Sequence, residues 1–326
     1  MTPTVAESPE QVRPIEIQGR SAWSIGLQRL RQDRVAMVCL AIVSGFTLVA
    51  VFAGPLCSLF GVSTDTVLAS TRIDLTTLMP LDGPPLHGFD PAHPFGVAPG
   101  TGDDNLAFWI VGAQTSLGIA FVASALSTVL GVGLGLVAGF AGGAVDSVIS
   151  FFTDLFLTIP FLLAALTISP ILADRFGDQP DLWEKLTFYT LVVILVLFGW
   201  MGTTRLIRGE VIALREREFV QAARVIGVPT RRILFQEVLP NLIAPIVITF
   251  SMDLPDFVTA EAGLSFLGVG VHGRPSWGQT IDVATPYWET YPQYLWEPVV
   301  GIIVLVLVLN LLGDAIRDAF DPKTRR

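Results

Sequence analysis

The sequence predicts an all-α integral membrane protein with six transmembrane helices and a helical cytoplasmic segment between the fourth and fifth. Three observations lead there. First, the runs 35–64, 105–145, 187–204, 238–252 and 298–313 carry no charge. A membrane-crossing helix takes about 20 mostly apolar residues, and these runs approach or exceed that. Second, apolar residues make up 52% of the chain and charged residues only 15%, against about 25% charged in soluble domains. Third, sixteen of the twenty basic residues fall in three segments: before residue 35, in 204–240 and after 316. Strict alternation of apolar and polar residues is absent, which favours helices over a barrel.

The elements follow in order. Residues 1–20 are polar, with Pro3, Pro9 and Pro14, and read as a disordered tail. In 21–34, Trp23, Leu27 and Leu30 recur at helical spacing opposite Gln28, Arg29 and Arg31. This is the pattern of an amphipathic helix lying on the membrane surface; a plain positively charged flank is the alternative. The first span, 35–60, is too long for a signal-peptide core and lacks a cleavage site. Cys39 and Cys57 lie about 27 Å apart along it, too far to bridge. The loop 61–105 is acidic, with Asp65, Asp74, Asp82, Asp90, Asp103 and Asp104, and is longer than a connector needs to be.

The second span, 106–140, carries Gly131, Gly135 and Gly139 at four-residue intervals. They form a flat strip for the close approach of another helix, in this chain or in a second subunit. The third span, 147–171, is interrupted by Asp154 and Pro160, and Asp146 and Asp154 are expected at an interface. The fourth is 186–208. The fifth, 241–262, holds Asp253, Asp256 and Glu261. A charge at the centre of a membrane helix costs roughly 2.5 kcal/mol or more. These acids therefore line a wet translocation pathway, or else sit at the outer interface or pair between subunits. The loop 263–296 brings Trp277, Tyr287, Trp288, Tyr291 and Tyr294, expected as an interfacial belt or cap. The sixth span is 297–317, with a short C-terminus at 318–326.

Six crossings put both termini on one side, and the arginines select the cytoplasm for that side. The segment 209–240 is then cytoplasmic. Within it Glu218-Phe-Val-Gln-Ala-Ala-Arg-Val-Ile-Gly227 reads as a short helix with a small-residue face, stopped by glycine. Such a helix, held against a partner, lets a soluble machine move the membrane part. Ala223 is expected to face the partner's groove. An ordinary amphipathic loop helix is the alternative.

No phosphate-binding Gly-x-x-x-x-Gly-Lys-Ser/Thr loop is present. His87, His93 and His272 lack zinc spacing, and Ser265 lies in no nucleophile elbow. The net charge of −9 gives no sign of nucleic acid, and the chain's surroundings are membrane lipid. Energy for any work done here comes from outside the chain.

Gln221-Ala222-Ala223 with Gly227, followed by Leu239-Pro240, resembles the EAA signature of importer permeases of the ATP-binding-cassette class. Gln221 stands where the signature has glutamate, and Glu237 where it has isoleucine. Further stretches narrow the resemblance: His93-Pro-Phe-Gly96, Gly139-Phe-Ala-Gly-Gly143 with Asp146, Glu261-Ala-Gly-Leu-Ser-Phe-Leu-Gly268, Pro275-Ser-Trp-Gly278 and Asn310-Leu-Leu-Gly-Asp314 running on to Pro322. Over residues 21–322 the chain is similar to the C-type permease of the dipeptide/oligopeptide/nickel group, departing from it at 97–105.

The resemblance implies a type I importer permease and half of a heterodimeric pore. Its implied partners are a B-type permease, one or two ATPases that hold the ATP and Mg, and an extracytoplasmic binding protein. It implies no cofactor on this chain and a bacterial plasma membrane. It also implies that Glu218, Gln221, Ala222, Ala223, Arg224, Gly227, Leu239 and Pro240 couple the pore to the ATPases. The rival reading is an ion-coupled secondary transporter or channel with Asp253 and Asp256 as ion sites. The lack of an internal repeat weakens it.

Overall fold

The computed structural model describes residues 22–65, 71–81, 83, 84 and 88–320. The tail 1–20, Asp82, His87 and 321–326 lie outside the described residues, as do Arg13, Arg20, Lys323, Arg325 and Arg326 of the topology argument. The side chain of Trp23 does too. Among the described residues no strand forms; there are two isolated bridges, Ile73 with Pro80 and Val97 with Asp104.

Helix α1 (Ala22–Gln32) is followed at once by α2 (Arg34–Val51). Asp33 between them caps α2, its carboxylate accepting from the amides of Val35 (2.8 Å) and Ala36 (3.3 Å) and satisfying otherwise orphaned donors. The chain breaks at Phe52 and continues as α3 (Ala53–Phe60), ending on Gly61 in the left-handed region. The expected first span is thus two helices. Helix α4 (Asn105–Ala141) has 37 residues. It is about 55 Å long, well beyond the roughly 30 Å of membrane hydrocarbon.

The third expected span is broken at Pro160. It consists of α5 (Gly143–Thr158) and α6 (Phe161–Phe176), bent by 77°. Ile159 sits extended at φ −84°, ψ 119°, because the ring of Pro160 disfavours helical backbone in the residue before it. Among the described residues five helices are long and apolar enough to cross a membrane, or six when this bent pair is one crossing.

The remaining elements are α7 (Pro180–Arg215), α8 (Glu218–Val225), α9 (Thr230–Ile233), α10 (Leu239–Leu264), α11 (Trp277–Ala284) and α12 (Pro292–Phe320). Wider helical turns at Leu234–Val238 and Ser265–Val269 flank α10. α7 and α12 outrun the uncharged windows because their helical hydrogen bonding continues into polar and charged residues at the ends.

The glycine strip of α4 packs within the chain. A Cβ at Gly131, Gly135 or Gly139 would stand 2.8 Å from the carbonyl oxygen of Trp200, Thr204 or Arg208 of α7. Two rows spaced by four residues therefore meet in register, and only hydrogen at the glycine Cα lets the backbones come so close. The Thr204 hydroxyl donates to the Gly131 carbonyl across the contact (3.3 Å). At one end of the bundle Gly26 of α1 lies against the ring of Phe320 at the close of α12. Both ends of the described chain meet there.

Described residues of 61–104 meet residues 265–294 at the opposite end. The Tyr291 hydroxyl donates to the Pro84 carbonyl (2.5 Å), and the Gln293 amide to that of Phe95 (3.1 Å). Trp277, Tyr291 and Tyr294 are buried, and the Trp277 indole donates to the Trp109 carbonyl (2.9 Å). These aromatics form the packed interior of a cap; Trp288 is exposed.

Candidate functional site

Helix α8 hangs from the end of α7 where α4, α7 and α10 come together. Val220 and Ala223, three residues apart and so on one face, enter an apolar cluster with Leu136, Ile207, Val211, Ile233, Val238 and Leu242. This corrects the expectation for Ala223, which is 9% exposed and faces the chain's own interior. The bulk of Val220 draws that face inward, and a small residue is needed beside it. The outward face carries Glu218, Phe219 and Ala222. It leads to a bare apolar tip at Val225 and Ile226, 86% and 78% exposed.

Several contacts fix the helix. The Gln221 amide donates to the Arg215 carbonyl at the end of α7 (3.0 Å). A glutamate carboxylate has no proton to give there, which accounts for glutamine at this point. The Arg224 guanidinium lies 4.7 Å from the Phe140 ring centroid, a cation–π contact to the end of α4. The helix closes with two reverse bonds, Val228 amide to Ala223 carbonyl and Gly227 amide to Arg224 carbonyl, each 3.0 Å. This closure needs a left-handed residue between them, and Gly227 has φ +78° with open space where a Cβ would stand. The demand on glycine is conformational rather than steric.

Leu239 packs on the same cluster and Pro240 lies in the first turn of α10. Proline cannot donate to the carbonyl four residues back. Just before it the ladder widens, the Leu239 amide bonding the Leu234 carbonyl.

Toward the same end, α5 and α7 are joined by ion pairs. Arg208 grips both oxygens of Asp146, Nη2 to Oδ2 at 2.8 Å, a two-pronged geometry that fixes orientation as well as charge. Arg205 pairs with Asp154 at 2.5 Å. Arg205, Arg208 and Asp154 line a cavity of about 380 Å3 with Ser150, Thr153 and Thr204. The two acids expected at an interface thus have partners in this chain.

Of the three acids of α10, the fold brings two together. Asp253 and Asp256 line a cavity of about 320 Å3 with Phe161, Phe198, Gly199 and Phe257. The Thr203 hydroxyl donates to Asp253 Oδ2 (3.1 Å). Glu261 is set apart from that cavity. It is fully buried and accepts from the Ser265 hydroxyl (2.7 Å).

The helices α5 to α12, with the end of α4, fall within residues 131–326. That whole stretch matches the family described as binding-protein-dependent transport system inner membrane component. The chain belongs to this family. Residues 21–69 of the permease also match the N-terminal transmembrane domain of oligopeptide transport permease C. The oligopeptide transport system permease protein OppC of Bacillus subtilis is 31% identical, over 94% of this permease and 91% of that protein. The dipeptide transport system permease protein DppC of Alkalihalophilus pseudofirmus is 32% identical over the same shares. Among solved structures, an inward-facing form of the MetNI methionine ABC transporter aligns with TM-score 0.51 and 18% identity. It covers 66% of this permease and 96% of that chain, a likeness of fold.

Sequence reasoning missed Val225, Ile226 and Phe140. Two β-branched apolar residues directly before a helix-stopping glycine, in an arginine-rich segment, were the available signal for the first two. Nothing local marked Phe140, which lies 84 positions before Arg224.

Proposed function

We propose that the permease is one half of the pore of an ATP-driven importer of dipeptides and oligopeptides. Its partners are a B-type permease, one or two ATPases that hold the ATP and Mg, and an extracytoplasmic binding protein. The chain itself binds no cofactor. The relatives, an oligopeptide and a dipeptide permease, supply the substrate class. The end of the bundle bearing α1, α8 and the close of α12 faces the cytoplasm, by the arginine distribution.

The observation that carries this reading is α8. It is a short helix rooted in the core by Val220 and Ala223, with Val225 and Ile226 bare at its tip. Exposed β-branched side chains at a rigid helix end suit insertion into a partner's apolar groove. Force on that tip reaches α7 through Gln221 and Arg215, α4 through Arg224 and Phe140, and α10 through Leu239. Closure of the ATPase pair then moves three crossing helices together and opens the pore outward. Asp253 and Asp256 stand along the pathway, where water lowers the cost of their charge.

The test is uptake of radiolabelled Ala-Ala into proteoliposomes holding the permease with its partner subunits. Uptake that requires ATP and the binding protein is expected. Uptake driven by an ion gradient without ATP would overturn the proposal in favour of a secondary transporter.

A further inference from the structure

At the end of the bundle that carries the 61–104 segment, a cavity of about 300 Å3 opens between the start of α4, α11 with the turn before it, and the start of α12. Its polar lining includes Thr101, Asp103, Arg274, Gln279, Thr280 and Tyr294. Asp103 is only 9% exposed, and its Oδ1 has no hydrogen-bond partner among the described residues. Buried carboxylate oxygens are almost always satisfied, because leaving one without a donor is costly. Asp103 lines a cavity large enough for a small ligand.

The charges around it narrow the choice of ligand. Arg72 stands near Asp103 but its Nη1 is directed to the Gly102 carbonyl at 3.5 Å. Arg274 lies on the rim, its side chain 65% exposed and its Nε 3.4 Å from Glu184 Oε1. One buried acid with the Arg72 guanidinium close by, and Arg274 on the rim of the same cavity, is a poor trap for a bare cation. It suits a neutral molecule with separated charges. An ammonium offers three donors and no acceptor, the complement of the Asp103 carboxylate. A carboxylate finds donors in Arg274 and the Gln279 amide.

We propose that this cavity is a binding site for a small zwitterion of one or two residues, its ammonium on Asp103 and its carboxylate toward Arg274. The site lies away from the cavity of Asp253 and Asp256, at the end where a peptide arrives from outside. It rests on the reading of the permease as a peptide importer and adds a second, outer station to that route. Burial also pushes the Asp103 carboxyl above its ordinary value, against the opposing pull of the Thr101 hydroxyl and Arg72. A bound ammonium would hold it ionised.

The test is calorimetric titration of Ala-Ala into the permease with its partner subunits in lipid nanodiscs, without the binding protein. Saturable binding is expected. It should weaken about tenfold or more in Asp103→Asn, the scale of one lost charged hydrogen bond. N-acetyl-Ala-Ala, which lacks the ammonium, should bind the unaltered protein as poorly. Arg274→Gln changes an exposed side chain and leaves the fold alone. It should weaken Ala-Ala but not Ala-Ala amide, which keeps the selectivity testable if Asp103→Asn fails to assemble. No binding of Ala-Ala, or equal binding of the acetylated peptide, overturns the site. If ATP-driven uptake persists in that case, the importer reading stands and only this inference falls; absence of uptake in the unaltered protein strikes the importer reading itself.

Discussion

The Val228 amide donates to the carbonyl of Ala223 over 3.0 Å, so the residue that leaves α8 is tied back to the one that roots it. Between them Gly227 turns the chain at φ +78°. The bond holds the exposed tip at a fixed angle to the bundle.

Gly227→Val places a β-branched residue in left-handed backbone, at a cost of about 1–2 kcal/mol or more. With no neighbour near its Cβ, the loss comes from the turn alone. Insertion and pairing with the second permease should survive while uptake falls sharply. Gly227→Asn, which tolerates this backbone better, should retain part of the uptake. Uptake at equal expression is the measurement.

Ala223→Glu should behave differently, because Ala223 faces the core. A carboxylate forced among Ile207, Val211 and Leu242 destabilises the end of the bundle. The expected result is lower yield and a lower melting temperature of the detergent-solubilised complex. Ala222→Glu on the exposed face should leave thermal stability unchanged.

Gly135→Leu wedges a side chain between α4 and α7, where a Cβ already meets the Thr204 carbonyl at 2.8 Å. Overpacking of this kind typically costs about 1–3 kcal/mol, read as loss of thermal stability. Gly133→Leu, with open space at its Cβ, is the control and should be nearly silent in the isolated chain.

Asp253→Asn and Asp256→Asn remove charge and keep shape. If these acids line the pathway, uptake falls and the partner subunits still co-purify. Unchanged uptake with an intact complex would exclude the pathway role. Dissociation of the complex would assign them to the subunit interface.

Much of the fold was legible in the chain because the membrane makes the pattern coarse. Uncharged runs locate the crossings but not their ends, since α7 and α10 continue 11 and 12 residues past theirs; Pro160 marks the bend that splits the third. What was not legible depends on pairing at a distance. The strip of Gly131, Gly135 and Gly139 says that a helix approaches, not which one; α7 is set by the matching row Trp200, Thr204 and Arg208. Asp146 and Arg208 lie 62 positions apart, so their pairing has no local sign. The direction of α8 was misread because alanine fits either a core or a docking face. Val220, one turn earlier, decides it.

Orientation can be read with single cysteines in a background lacking Cys39 and Cys57. Leu75→Cys and Thr285→Cys, both exposed, should react with an impermeant maleimide in intact cells. Arg217→Cys should react only after lysis. The opposite pattern would place α8 outside, away from any ATPase.

The central claim is that α8 is the handle by which the ATPase moves the pore. Its most direct test is Ile226→Ser with Val225→Ser, changes at bare side chains that leave the core untouched. ATPase retained on the purified membrane subunits and ATP-driven peptide uptake are read together. The expected result is a stable membrane pair that has lost both the ATPase and uptake. Full retention of the ATPase with normal uptake would contradict it.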